Sequence, residues 1–256
     1  MNVLVKLGGT LLDQTSTRVA LARQIAHAAR TGHRVVVVHG GGRQLTAFLA
    51  ERGVESRFVN GLRVSTPEVI EAVLKVLAGS VNHQLVAALV EAGVAAVGLS
   101  GIDAGLIEAE PVSEELGAVG RPARANAALL ELLIDHSYLP VVASIAGDRR
   151  GRIYNVNADQ MAAACASAFG ANRLLYLTDV DGVRDDAGAV LPSIDRGLGR
   201  RLIEEGIATG GMLAKLNAAA GALNDGVEQV VIAPGSAPGI VERLIAGESV
   251  GTKLLP

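Results

Sequence analysis

Two lysines are the first residues in this sequence whose positions suggest chemistry. Only four of the 23 basic residues are lysine, so this arginine-rich chain uses lysine at few places. Lys6 lies in an apolar stretch directly before Gly8-Gly9, and Lys215 follows Gly210-Gly211 in the predicted first turn of a helix. A lysine beside a glycine turn can neutralise a phosphate group as a compact point charge. The alternatives are that Lys6 points to solvent from an edge strand and that Lys215 lies on a solvated helix face.

A second feature is the glycine run Gly40 to Gly42, which follows the apolar stretch Val35 to Val38. An uninterrupted valine run indicates a strand that is covered on both faces. Three glycines leave backbone N–H groups open to a ligand, and the helix that follows adds the positive end of its dipole. The pattern predicts an anion site, although glycines that serve only a tight turn would look the same. His39 is more typical of a hydrogen-bond donor in the turn than of a metal ligand.

Amide and carboxylate side chains form a third group around Asn155, Asn157 and Asp159. A period of two in an extended segment puts the two asparagines on one face, and Asp159 begins the next helix. We expect Asp159 to hold Lys6 and Lys215 in position, while the amides bind a carboxylate or amide of a ligand. The alternative is an Asx turn with a helix cap, which accounts for one asparagine and the aspartate only.

Arg63 lies in a predicted loop between Asn60 and Ser65, just before a helix with Pro67 in its first turn. The planar guanidinium suits a carboxylate ligand. The chain has many other arginines, so a plain surface role for Arg63 is the alternative.

The elements that must position these residues follow from the hydrophobic periodicity. Apolar runs alternate with amphipathic stretches that end at glycine, which predicts an α/β fold with a mostly parallel central sheet. We predict short hairpin strands between 106 and 124, and one long helical stretch over 67–91 in which Gly79 is the weak point. The other predicted strands are 3–7, 35–38, 94–99, 139–145, 153–156, 173–178 and 229–233. The other predicted helices are 17–30, 43–52, 127–136, 158–169, 196–205, 212–224 and 238–246.

Composition bounds the class of protein. The chain has 256 residues, a net charge of −3 and only 2% aromatic residues, which argues against a nucleic-acid surface. Its single cysteine, Cys165, lies in an apolar helix and is expected to be a buried core thiol. No targeting pattern and no run of 18 apolar residues occurs, so we expect a cytoplasmic protein with no membrane span and a small-molecule partner.

Six segments, in order and over the whole chain, resemble the motifs of the amino acid kinase family. They are 6–9 (KLGG), 39–42 (HGGG), 60–64 (NGLRV), 155–160 (NVNADQ), 178–183 (TDVDGV) and 210–215 (GGMLAK). The resemblance implies one domain with a three-layer αβα sandwich. It further implies an N-terminal lobe, 1–171, for the acyl amino acid and dimerisation, and a C-terminal lobe, 172–256, for ATP.

The resemblance also implies roles for single residues. Lys6 and Lys215 would stabilise the transition state, and Asp159 would orient them. The residues expected to bind the acyl amino acid are Gly41, Gly42, Arg63 and Asn155. Those expected to bind ATP are Gly8, Gly9, Asp179, Val180, Asp181, Gly182, Val183, Arg184, Ile207, Ala208 and Thr209. No protein ligand for a metal is expected, since Mg²⁺ would arrive on the ATP phosphates.

The closest likeness is to family members that phosphorylate the side-chain carboxylate of N-acetyl-L-glutamate with ATP, in the second step of arginine biosynthesis. A carboxylate is already ionised at neutral pH, so its phosphorylation needs no general base. The task is to bring two anions together, which calls for positive charge. One alternative is a kinase for acetylaminoadipate or carrier-linked aminoadipate in lysine biosynthesis. Another is a non-catalytic amino-acid sensor with the same fold.

The resemblance extends to assembly. Arginine-inhibited members of the family are hexamers linked by an additional N-terminal helix, whereas this sequence enters a strand directly after Met1-Asn2. We therefore expect a homodimer that arginine does not inhibit. The apolar helix between Val69 and Leu77 is the expected centre of a two-fold interface, although the same stripe would also suit the core of one subunit.

Overall fold

The structure is a computed structural model of the chain, and it describes residues 1–255. The β-strands are β1 Asn2–Leu7, β2 Arg34–His39, β3 Phe58–Val59, β4 Leu62–Arg63, β5 Ala95–Ser100, β6 Ile107–Pro111, β7 Val119–Ala125, β8 Tyr138–Ala143, β9 Ile145–Gly147, β10 Ile153–Val156, β11 Arg173–Thr178, β12 Ser193–Ile194, β13 Gln229–Pro234 and β14 Thr252–Leu254. The α-helices are α1 Gly9–Asp13, α2 Thr15–Arg30, α3 Gly42–Ala50, α4 Pro67–Val73, α5 Asn82–Glu91, α6 Ala128–Asp135, α7 Ala158–Phe169, α8 Arg196–Glu204, α9 Gly210–Asn224 and α10 Ile240–Ile245.

A central sheet has the strand order β12-β14-β13-β11-β1-β2-β8-β5. Neighbouring strands in it run parallel except β13 and β14. The prediction of a mostly parallel sheet is therefore confirmed. β1 lies in the interior of this sheet, where Lys6 has Tyr176 of β11 on one side and Val38 of β2 on the other. The alternative that placed Lys6 on an edge strand is wrong.

Helices cover both faces of the sheet. Val3 and Val5 of β1 belong to a buried cluster with residues of α2, α3, α4, α5 and α10. Leu4 belongs to a second cluster with residues of α6, α7, α8 and α9. Successive side chains of a strand point to opposite faces, so this alternation defines a three-layer αβα sandwich, as expected. It also explains the valine run of β2, which is apolar at every position because both of its faces are buried.

A small closed barrel of β6, β7, β9 and β10 lies beside the sheet. Its antiparallel pair β6 and β7 confirms the hairpin predicted between 106 and 124. The predicted strand 139–145 extends too far at its C-terminal end. β8 stops at Ala143, and after Ser144 the chain enters the barrel as β9, so the apolar run is divided between the central sheet and the barrel. Asn155, on β10 of the barrel, lines a cavity together with the glycines that follow β2.

The long helical stretch changes its hydrogen bonding in the middle. α4 and α5 are joined by a π-helical segment, Leu74–Val81, which contains the predicted weak point Gly79. A Cβ at Gly41 would lie 2.5 Å from Leu77 Cδ2 and 3.2 Å from Val81 Cγ2. The segment therefore packs directly on the glycine run after β2, in agreement with the frequent occurrence of π turns at functional sites.

The stretch Pro67–Glu91 is long and apolar enough to cross a membrane by length and composition alone. The same is true of core helices, and its residues Val69, Val73, Leu85 and Leu89 are all buried in the first cluster. The apolar character of this stretch is thus explained by the core.

Candidate active site

Lys6, Asp159 and Lys215 meet at the carboxyl end of the central strands. Lys6 Nζ lies 2.7 Å from Asp159 Oδ1, and Lys215 Nζ lies 3.0 Å from each carboxylate oxygen. All three residues are 7% exposed. The predicted contact of Asp159 with both lysines is confirmed. The alternative of a solvated helix face for Lys215 is wrong. Lys215 lies two residues further into its helix than predicted, because α9 begins at Gly210 rather than Met212.

The start of α7 positions Asp159. Asn157 is the N-cap, and its Oδ1 accepts hydrogen bonds from the backbone N–H groups of Asp159 at 2.8 Å and Gln160 at 3.2 Å. The capping alternative is therefore correct for Asn157. Asn155 has a different task, since its side-chain amide donates to Ser65 Oγ at 3.1 Å.

The charges of this cluster depend on one another. Burial alone would raise the pKa of Asp159, but Lys6 and Lys215 outweigh burial and bring that pKa below its usual value. Burial and the neighbouring ammonium of Lys6 lower the pKa of Lys215 to about 8, although Asp159 and Asp179 act in the opposite direction. When both lysines are protonated, two positive charges surround one negative charge. The cluster then has a surplus positive charge for an anionic ligand.

Two glycine turns lie against each other beside the lysines. The N–H of Gly8 donates to Leu177 O at 2.9 Å. A Cβ at Gly9 would lie 3.3 Å from Gly41 Cα and 3.3 Å from Gly42 N, so a side chain here would push the turns apart by a few tenths of an ångström. Gln44, which sequence reasoning missed, also joins the turns, since its Nε2 donates to Gly9 O at 3.3 Å.

His39 fixes the start of the second turn. Asn82 Nδ2 contacts both Val141 O and His39 Nε2 at 3.0 Å, so the amide is the donor and Nε2 the acceptor. The proton of the neutral ring is then on Nδ1, which donates to Gly40 O at 2.9 Å. Burial lowers the pKa of His39 to about 4, which keeps the ring neutral. The predicted donor role of His39 is confirmed. Its partner Asn82 was missed, although a lone asparagine in an apolar helix was a possible signal.

A cavity of about 180 Å³ brings together Gly41, Gly42, Arg63 and Asn155. Arg63 is 8% exposed and belongs to β4 rather than to a loop, so the expected loop and the alternative surface role are both wrong. Its Nη2 donates to Thr46 Oγ1 at 2.7 Å and to Gly42 O at 3.1 Å. The strands β3 and β4 form a hairpin with a two-residue turn. The turn residues Asn60 and Gly61 have positive φ values of 50° and 78°.

The residues expected at the nucleotide lie in two segments near Lys215. The first segment, 179–184, follows β11, and its Asp179 is close enough to raise the pKa of Lys215. Within it the Val183 N–H donates to Thr252 Oγ1 at 2.8 Å, whereas Val180 is 38% exposed. In the second segment, 207–209, Ala208 is buried and Thr209 is the N-cap residue of α9. A nucleotide pocket formed by Asp179, Val180, Asp181, Gly182, Val183, Arg184, Ile207, Ala208 and Thr209 stays a prediction.

The arrangement can hold two anions side by side. Arg63 provides a buried guanidinium at the small cavity, and the two lysines provide ammonium groups next to the glycine turns. Preorganised positive charge in a buried site of low dielectric constant stabilises negative charge that moves between two ligands. Transfer of a phosphoryl group to an anionic acceptor is the reaction that this geometry suits best.

Comparisons with known proteins agree with this chemistry. The sequence profile of the amino acid kinase family matches residues 1–234. An acetylglutamate kinase from Solibacter usitatus is 64% identical over 255 residues, covering 100% of this chain and 99% of that protein. One from Geobacillus kaustophilus is 44% identical over 234 residues, covering 91% of this chain and 90% of that protein.

Two solved structures are similar in fold to this chain. N-acetylglutamate synthase from Neisseria gonorrhoeae, in complex with coenzyme A and N-acetyl-glutamate, superposes with a TM-score of 0.88 at 25% identity. The match covers 100% of this chain and 59% of that one. A carbamate kinase from Giardia lamblia bound to AMP-PNP has a TM-score of 0.74 at 18% identity, with 99% of this chain and 98% of that chain covered. At this identity the second likeness concerns the fold alone.

Proposed function

Because the chain belongs to the amino acid kinase family, we propose that it transfers the γ-phosphoryl group of ATP to the side-chain carboxylate of N-acetyl-L-glutamate. The product is N-acetyl-L-glutamyl 5-phosphate, and the reaction is the second step of arginine biosynthesis. The observation that carries the proposal is the buried lysine pair on Asp159, next to a small cavity lined by Arg63.

The acyl amino acid binds in the cavity at the glycine run. The buried guanidinium of Arg63 pairs with the α-carboxylate, because its fork matches the two carboxylate oxygens. Asn155 hydrogen-bonds the acetamido group, and the backbone N–H groups of Gly41 and Gly42 face the reacting carboxylate. A volume of about 180 Å³ suits a small substrate rather than a peptide or a coenzyme.

The transfer step needs no proton transfer. An oxygen of the substrate carboxylate forms a bond to the γ-phosphorus, and the bond between that phosphorus and the β,γ-bridging oxygen breaks, which releases ADP. Lys6 and Lys215 neutralise the moving phosphoryl group from two sides, and Asp159 holds the two ammonium groups in place by contacting both of them. Gly8 and Gly9 offer a turn without side chains to the ATP phosphates.

Mg²⁺ accompanies the nucleotide in this proposal. The carboxylate nearest the transfer site, Asp159, is already bound by both lysines, so it does not fit the role of a metal ligand. When bound through the phosphates, the ion offsets the charge of the β- and γ-phosphoryl groups. We place the nucleotide itself along 179–184 and 207–209, within a C-terminal lobe of residues 172–256.

The remaining parts of the proposal concern the setting of the enzyme. We propose that it acts in the cytoplasm as a homodimer on small molecules, without nucleic-acid or membrane partners. An acidic balance of charge fits this assignment, because nucleic acids and anionic lipids attract basic surfaces.

Trapping of the acyl phosphate tests the reaction. The protein is incubated with ATP, Mg²⁺ and hydroxylamine, and hydroxamate is measured with N-acetyl-glutamate, N-acetyl-aminoadipate, glutamate and aspartate in separate reactions. We expect hydroxamate to form fastest with N-acetyl-glutamate. A preference for N-acetyl-aminoadipate would assign the enzyme to lysine biosynthesis instead. Binding of an acyl amino acid without any hydroxamate would indicate a sensor.

A further inference from the structure

We propose that Tyr176 is a positioning residue for the phosphoryl-transfer site: its hydroxyl anchors the main chain of Asp159, and its ring supports the ammonium group of Lys215. The inference rests on the proposed function, and it concerns a residue that none of the sequence motifs contains. Tyr176 occurs in an otherwise apolar part of β11, with Leu175 before it and Leu177 after it.

The hydroxyl group makes a single specific contact. Tyr176 is fully buried, and its Oη donates to the backbone carbonyl of Asp159 at 3.0 Å. Burial and the Asp159 carboxylate raise the pKa of this phenol well above its usual value, so it stays a donor. A buried hydroxyl without a partner is costly, which makes this bond a strong constraint on where the first turn of α7 lies. Since Asp159 holds both lysines, the anchor also sets their positions.

The aromatic ring makes the second contact. Lys215 Nζ lies 5.2 Å from the ring centroid, within the range in which the negative face of a ring attracts a cation. On the adjacent strand β1, Lys6 is paired in register with Tyr176, so both ammonium groups converge beside this side chain. A leucine at the same position would fill similar space without attracting the Lys215 ammonium.

Several charged groups face Lys215 from the elements around it. Asp159 on α7 and Asp179 after β11 favour its protonated form, whereas Lys6 on β1 and burial disfavour it. Tyr176 on β11 adds attraction without adding a charge. A lysine whose pKa is about 8 titrates closer to neutral pH than an ordinary lysine, so the attraction of the ring changes its charged fraction in that range.

A merely structural role would give different results. If Tyr176 only fills the core, its replacement changes stability but not the protonation of Lys215. Two variants separate the contacts: Tyr176→Phe keeps the ring and removes the hydroxyl, and Tyr176→Leu removes both. Tyr154→Phe is a matched control, because it also removes the hydroxyl of a buried tyrosine, which donates to Asp148 Oδ2 at 3.2 Å outside the cluster.

The first test reads the lysines directly. The full chain is labelled with ¹³Cε-lysine, and the four lysines are titrated by NMR, with Lys75 and Lys253 as internal references. We expect Tyr176→Leu to move the Lys215 midpoint to lower pH by about half a unit or more, and Tyr176→Phe, which keeps the ring, to move it by clearly less. An unchanged midpoint in Tyr176→Leu would overturn the role of the ring. This titration needs no turnover, so it remains informative if the proposed reaction fails.

The second test reads catalysis. We expect Tyr176→Phe to lower kcat by roughly tenfold, with Michaelis constants within about twofold of wild type, because the bound state is kept while the lysines lose their alignment. Tyr154→Phe should keep the wild-type kcat. Thermal unfolding of each variant accompanies the assay. A wild-type kcat in Tyr176→Phe, or equal losses in both variants, would overturn the role of the hydroxyl.

Discussion

At the scale of single residues, the site depends on one carboxylate that is shared by two ammonium groups. Asp159 alone would be costly to bury, and so would either lysine, but together they form contacts of 2.7 to 3.0 Å that offset this cost. The set carries a surplus positive charge when both lysines are protonated. Removal of Asp159 would leave two buried ammonium groups without a counter-charge, whereas removal of one lysine leaves a one-to-one ion pair. Asp159 is therefore constrained by stability as well as by function.

Loss of either lysine should affect turnover more than binding. We expect Lys6→Ala and Lys215→Ala each to lower kcat by at least ~10²-fold, because their charge matters most as the phosphoryl group leaves ADP. Steady-state kinetics with both substrates measures the effect. Lys75→Ala, which removes an exposed lysine paired with Glu71, is the control. Wild-type turnover in Lys6→Ala or Lys215→Ala would remove that lysine from the mechanism.

Arg63→Lys should weaken binding of the acyl amino acid selectively. In the wild type, the planar guanidinium of Arg63 donates to Thr46 and Gly42 and faces the cavity. The variant keeps a positive charge but loses this planar fork. We expect the Michaelis constant for N-acetyl-glutamate to rise about tenfold or more while that for ATP changes little. Equal increases in both constants would point to a folding defect or to another binding site.

His39 should make stability dependent on pH. Its pKa is about 4 in the folded protein and about 6.5 in the unfolded chain, so between these values only the unfolded chain takes up the proton. The contribution of His39 to the free energy of unfolding is therefore fully present above about pH 6.5 and is lost as pH falls. The loss amounts to about 2 kcal/mol between pH 7 and pH 5. Urea unfolding of wild type and His39→Gln at both pH values measures this. A variant with the same pH dependence as wild type would contradict the assignment.

At the scale of elements, the site is formed where strands end and helices begin. β1 and β2 are adjacent and parallel, so the glycine turns that follow them meet at one edge of the sheet. α7 and α9 bring Asp159 and Lys215 to the same edge from segments far apart in the chain. The π-helical segment Leu74–Val81 packs on the second turn.

Gly9→Ala tests the contact between the two turns. The added methyl group would lie 3.3 Å from backbone atoms of the second turn, so the turns must separate by a few tenths of an ångström. We expect a loss of kcat of about tenfold or more with little change in the melting temperature, since misalignment of reacting groups is costly for rate. Gly221→Ala, within α9, has open space around the new methyl group and serves as control. Wild-type kcat in Gly9→Ala would show that the turns move freely.

At the scale of the whole molecule, one sheet connects strands from the beginning, middle and end of the chain. β1 pairs with β11, which in turn pairs with β13, so both predicted lobes share this sheet. The division of the chain into lobes at residues 171 and 172 stays a prediction. The expected dimer also stays a prediction, but its location can be refined. Val69, Val73 and Leu77 are buried within the single chain, so this stripe belongs to the core.

We propose the outer face of the same helical stretch for the two-fold contact. Ile70 and Leu74 are partly exposed one turn apart on this face, although Leu74 also packs against the core. We expect wild type to have the mass of a dimer in light scattering, and Ile70→Glu to have that of a monomer because a charge is then buried in the contact. Glu71→Gln, on an exposed neighbour, is the control. A wild-type monomer or hexamer would contradict the dimer, and an unchanged Ile70→Glu dimer would contradict its location.

The sequence by itself determined the fold class and many members of the site. Period-two and period-3.6 hydrophobic patterns are local properties of the chain, so strands, helices and a mostly parallel α/β sheet could be predicted from them. The three-layer order was predicted from the resemblance to a family. Lys6 and Lys215 could also be singled out, because the scarcity of lysine and the glycines near these two residues are visible in the sequence without a structure. The contact of Asp159 with both lysines was also predicted, from the sequence pattern and the resemblance to a family.

Only the tertiary structure decided which polar residues are buried and which residues their side chains contact. Arg63 looked like one arginine among many, yet the fold encloses it against Gly42 and Thr46. Asn82 and Tyr176 carry no local signal of their partners, because His39 and Asp159 lie 43 and 17 positions away along the chain. Contacts of this kind depend on strand order and register, which hydrophobic periodicity does not encode. The geometry of the site therefore became visible only when the sheet brought these positions together.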